Sequence, residues 1–72
     1  MSIQFNCAQC SAHTVLRMAQ LAGAYAVTFI AAAGQKGESV EFLLPGRPAT
    51  LTLRAGQYLH LNGNMLSVTE EP

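Results

Sequence analysis

Both cysteines of this chain, and one of its two histidines, fall within Cys7-Ala8-Gln9-Cys10-Ser11-Ala12-His13. Two thiols at C-x-x-C spacing on a tight turn can reach one metal ion together, or close on each other as a disulfide. With His13 and the distant His60, the pair supplies two thiolates and two imidazoles, the ligand count of a closed structural zinc site. The candidate metal ligands are therefore Cys7, Cys10, His13 and His60, and zinc is the cofactor they would take. Strong zinc signatures carry two closely spaced pairs. Here the histidines are separated by most of the chain, and His60 alternates with Leu59 and Leu61, which points it away from an apolar face. The balance of these observations expects no resident cofactor, with zinc as the alternative.

The opening Ile3-x-Phe5-x-Cys7-x-x-Cys10 resembles the first knuckle of zinc-ribbon proteins over about ten residues. The second C-x-x-C that the resemblance implies is missing; the nearest candidate region reads Ala31-Ala32-Ala33-Gly34. A thiol near a helix start has its thiolate favoured by free amides and by the helix dipole, which gives the same pair a redox reading. Thioredoxin-like motifs lie between a buried strand and a helix in a βαβ arrangement, and the strand pattern here is an antiparallel meander.

His13 in a helix that follows a strand also resembles the histidine phosphocarriers of the HPr type. That family binds the phosphoryl group at helix amides. The likeness covers roughly the first forty-five residues. It departs from the family where His13-Thr14 runs on into Val15-Leu16 without an Arg-Pro pair, and again in lacking a final helix.

Other catalytic arrangements find no residues. The chain contains no Asp, so neither a Ser-His-Asp triad nor an Asp-based metal centre can be built. Glu38 and Glu41 straddle a strand at odd spacing, and Glu70 and Glu71 lie in a polar tail, which leaves no paired carboxylates for acid–base work. Gly34-Gln35-Lys36-Gly37 has the letters of a KH-domain loop, but that loop joins helices and this one joins strands. It reads as a turn.

Composition narrows the class further. Seventy-two residues make a single domain, 1–72, near the lower limit at which a core suffices without help. Half of the residues are hydrophobic and 11% are charged, against about 25% charged in ordinary domains. With a formal net charge of zero, little repels neighbouring copies, and a covered apolar face is expected. The four basic residues are scattered, so the phosphate-facing cluster of a nucleic-acid binder is absent. The uncharged run from Met18 to Gln35 spans eighteen residues. It is Ala-rich, includes Gln20, Thr28 and Gln35, and is too weakly apolar for a membrane span. Without a secretory leader pattern or a dense cysteine framework, the expected location is the cytoplasm.

The elements that must position these residues are read from periodicity. Ile3 and Phe5 alternate with polar neighbours as a short first strand. Ser11 has the chemistry of an N-cap, and Val15, Met18, Ala19, Leu21 and Ala22 recur at helical spacing. His13, Arg17 and Gln20 take the opposite face, and Gly23 ends a helix over about 12–22. The period then becomes two. Tyr25, Val27, Phe29 and Ala31 line one strand, and Val40, Phe42 and Leu44 line the next. Pro45-Gly46 has the residues of a type II turn. Leu51 and Leu53, a reversal at Ala55-Gly56, Leu59 and Leu61, an Asn62-Gly63 hairpin signal, and Leu66 and Val68 complete the pattern.

The expected fold is α+β, in the order β-α-β-β-β-β-β. One amphipathic helix packs on a four- to six-stranded antiparallel meander. The expected core is Val15, Met18, Ala22, Val27, Phe29, Phe42, Leu53, Leu59, Leu61 and Val68. The expected function is a small non-enzymatic protein-interaction module. An accessory, regulatory or inhibitor protein of bacterial or phage type fits, with a protein partner or a second copy and neither nucleic acid nor membrane. Alternatives are a zinc-stabilised module on Cys7 and Cys10, and a phosphocarrier or thiol redox protein using His13 or the cysteine pair.

Overall fold

The computed structural model describes residues 1–31 and 38–71. The turn expected at 34–37, and most of the 31–34 region, lie outside the described residues. The element order is β1 (Ser2–Gln4), α1 (Ala8–Leu21), β2 (Ala26–Ile30), β3 (Ser39–Leu43), β4 (Leu51–Arg54), β5 (Tyr58–Asn62) and β6 (Met65–Thr69). The α+β class and the order are as expected.

The helix begins four residues earlier than Ser11 capping predicts. Cys7 is extended at φ −158°, ψ 156°, and its carbonyl accepts from the amides of Cys10 and Ser11 at 3.2 Å each. Cys7 is thus the N-cap position, with no side-chain capping bond. Ser11 falls on the inward stripe with Val15 and Met18, and is 5% exposed. At the other end the prediction holds. Gly23 adopts φ +79°, its amide donates to the Gln20 carbonyl, and the Ala24 amide donates to that of Ala19. This is the Schellman pattern, which satisfies carbonyls the helix leaves open.

The strands form two three-stranded antiparallel sheets, not one meander: β2-β3-β4 and β1-β5-β6. The division occurs at Ala55-Gly56. A turn closes there, with the Gln57 amide donating to the Arg54 carbonyl and Gly56 at φ +91°. The amides of the turn are claimed from outside, however. Ala55 N–H donates to the Glu38 carbonyl at 3.1 Å, and Gly56 N–H to that of Phe5 at 2.7 Å. The chain therefore steps from one sheet to the other instead of folding β5 back on β4. The first strand fills the vacant edge of β5, in the register Ser2↔His60, Ile3↔Leu59 and Gln4↔Tyr58.

Two tight turns fix the remaining registers. Pro45-Gly46 closes as expected, the Arg47 amide donating to the Leu44 carbonyl and Gly46 at φ +78°. In the last hairpin Asn62 pairs with Met65, so the two-residue loop is Gly63-Asn64, one position later than the Asn-Gly signal suggests. Gly63 has φ +62° and Asn64 a negative φ, the pattern of a type II′ turn with Gly at its first central position.

The core lies between the sheets and α1. Val27, Phe29, Val40, Phe42, Leu51 and Leu53 are cross-strand neighbours on the inner face of one sheet. Ile3, Leu59, Leu61, Leu66 and Val68 line the other. Of the expected core, Val15, Met18, Phe42, Leu53, Leu59 and Leu61 are buried, while Ala22, Val27, Phe29 and Val68 pack against it half-buried. Phe5, Ala19, Val40, Leu44 and Leu66 are buried as well. Leu21 is 50% exposed and Tyr25 69% exposed, against their expected inward placement. Tyr25 precedes β2, its amide donates to the Leu43 carbonyl, and its side chain is exposed. No helix among the described residues is long and apolar enough to cross a membrane.

Candidate functional site

The first turn of α1 brings Cys7 and Cys10 together. Cys7 is half-buried and Cys10 exposed, and both are free thiols. Their sulfur atoms share a hydrogen bond and lie 2.7 Å apart. The i, i+3 spacing is responsible, since residues three apart on a helix lie on one face. The Cys10 thiol is pushed above its ordinary value of 9.0, first by its hydrogen bond to Cys7 and the charge that sulfur would carry. Slight desolvation and the Glu38 carboxylate act in the same direction. Desolvation disfavours the charged form, and the Cys7 sulfur and the Glu38 carboxylate resist another negative charge beside them.

Among the described residues the histidines complete no group of three with the two cysteines. His13 is exposed in the second turn of the helix, on the polar face with Arg17 and Gln20 as expected. Because the helix starts at Ala8, His13 lies beyond the amides of the first turn, which the phosphocarrier likeness would have it share. His60 is taken up by a polar chain across the outer face of the β1-β5-β6 sheet. Its Nδ1 lies 2.9 Å from Ser2 Oγ and its Nε2 lies 2.7 Å from Thr69 Oγ1. The Thr69 hydroxyl spends its hydrogen on the Glu71 carbonyl. Both ring nitrogens serve the sheet. Among the described residues no three His, Cys, Asp or Glu side chains are grouped to hold a metal ion. The structure brings together Cys7 and Cys10 of the four candidate ligands, and separates them from His60.

A second feature was not legible in the pattern. A cleft of about 230 Å³ opens where the end of α1 meets the Pro45 turn and the last hairpin. Ala22, Leu44, Pro45, Arg47, Met65 and Leu66 are among its lining residues. Met65 is 62% exposed there. Leu21 and Leu43 are chain neighbours of lining residues and are 50% and 38% exposed; Tyr25, bonded to Leu43, is 69% exposed. The signal that could have found these exposed side chains is the placement of Leu21, Tyr25 and Met65 at element ends, where the alternation that buries a side chain stops. No family model, curated protein or solved structure matches the chain.

Proposed function

We propose that this chain is a small protein-interaction module, without catalytic machinery of its own, that binds through apolar side chains exposed near the cleft at the end of α1. The observation that carries this reading is the exposure of Met65 in the lining of the cleft, with Leu21 and Tyr25 exposed on the chain segment that flanks the lining residue Ala22. Large apolar side chains gathered on the surface of so small a domain mark a contact face. Zero net charge and few charged residues favour a second copy, or another protein of low charge, as the occupant. An accessory or regulatory role in the cytoplasm suits a domain of this size. Sedimentation at micromolar concentration tests it, on the wild type and on Tyr25→Glu/Met65→Glu. Concentration-dependent association that the double variant loses is the expected result. A clean monomer at every concentration removes the self-association half of the reading, and association unchanged in the variant moves the contact to another face.

A zinc-stabilised module is the second reading, favoured by the contact between the Cys7 and Cys10 sulfurs. Residues 32–37 and 72 contain no Cys, His, Asp or Glu, so further ligands would have to come from another chain. Metal content under native mass spectrometry tests that reading.

A further inference from the structure

We infer that Cys7 and Cys10 are a reversible redox site, closing to an intramolecular disulfide by exchange with low-molecular-weight disulfides of the glutathione type. The inference is independent of the interaction face at the far end of α1. Three observations carry it. The two sulfurs are already in contact at 2.7 Å, so little movement separates the dithiol from the bonded form. Cys10 is exposed and Cys7 half-buried, so an incoming disulfide has access to one sulfur while the other waits beside it. The pair is also set by regular structure: Cys7 is the extended residue before the helix and Cys10 lies in its first turn, both tied by the bond from the Cys10 amide to the Cys7 carbonyl. A pair held this way has a high effective concentration of one thiol for the other.

The exchange balances as follows. One thiol loses its proton to solvent, and its thiolate attacks a sulfur of the disulfide RSSR. This forms a mixed disulfide and expels RS⁻. The second thiol loses its proton and attacks the protein sulfur of the mixed disulfide, expelling the second RS⁻. Both RS⁻ groups take up a proton. The protein dithiol is oxidised by two electrons, and RSSR is reduced to two RSH.

Incubation of the intact chain in buffers of graded reduced-to-oxidised glutathione ratio, at pH 8, tests the inference. Acid quenching, maleimide alkylation and intact mass then count the free thiols. Both thiols should disappear together in a monomer lighter by two hydrogens. The midpoint should lie at least about tenfold further toward reducing conditions than for the same chain in urea, equivalent to about 30 mV. Cys7→Ser and Cys10→Ser should each stop at the mixed disulfide with glutathione. Two thiols still open to alkylation in excess oxidised glutathione, in a folded protein, would overturn the inference. So would oxidation that yields only intermolecular dimers, or thiols protected by zinc at one ion per two chains.

Discussion

Replacing Phe42 by alanine tests the packing of the whole domain, because this side chain joins both halves of the sequence pattern to the core. Phe42 is at 0% exposure in the central strand of its sheet, with Val27 and Leu51 as its cross-strand partners. Truncation to a methyl group removes a buried ring whose transfer from water is worth about 2–3 kcal/mol. The neighbours on either strand are fixed by their own ladders and cannot collapse fully into the space. The cavity term then raises the loss to about 3–5 kcal/mol. A domain of this length has a total stability of roughly 4–11 kcal/mol. Phe42→Ala should therefore lower the melting temperature by some tens of degrees, or leave the chain unfolded at room temperature. Leu43, one residue on, points to the other face and is 38% exposed; Leu43→Ala should cost less than about 1 kcal/mol. Urea denaturation followed by far-UV circular dichroism measures both, the chain having no tryptophan. Equal losses in the two variants, or an unchanged midpoint for Phe42→Ala, would refute the register of β3, because a one-residue slip exchanges the two faces.

Two further outcomes are expected. Gly56→Ala should cost about 1–2 kcal/mol through the backbone alone, since φ is +91° and no atom lies within 4 Å of the added methyl group; a midpoint equal to wild type would show that the turn can relax. The raised Cys10 thiol makes stability depend on alkaline pH: the folded chain keeps a proton that the unfolded chain releases near 9.0, so this contribution is complete below that value and is lost as pH climbs through the raised one. Urea midpoints from pH 8 to 11, kept under reductant, should fall less steeply for Cys10→Ser, and parallel curves would show that the pair does not couple to folding.

The parts of the fold that depend on local pattern were legible in the residues. Val15 and Met18 at helical spacing, the Gly23 stop and the Pro45-Gly46 turn each rest on neighbours a few positions away. The hydroxyl of Ser11 points to a later helix start than the structure has, because the extended backbone of Cys7 begins the helix without a side-chain cap. The division into two sheets was hidden for a different reason. It rests on the amides of Ala55 and Gly56 finding the carbonyls of Glu38 and Phe5, groups common to every residue and invisible in a side-chain pattern. The candidate site divides the same way. Cys7 and Cys10 meet because their spacing is local. His60 is bound by Thr69 through the β5-β6 hairpin and by Ser2 because β1 pairs with β5, and no residue of β1 announces that partner.

That pairing has a consequence for synthesis. Ser2 and His60, which share a hydrogen bond, stand 58 positions apart. A ribosome adding about 5–20 residues per second makes the strand that receives β1 roughly 3–12 s after β1 itself. For that interval Ile3 and Phe5 have no sheet to enter. They share the waiting time with the helix and its two thiols, which can form before any of the β5 edge exists. The β5-β6 hairpin can then close in microseconds through its two-residue loop, so the slow event left is the return of β1 to the open edge of β5.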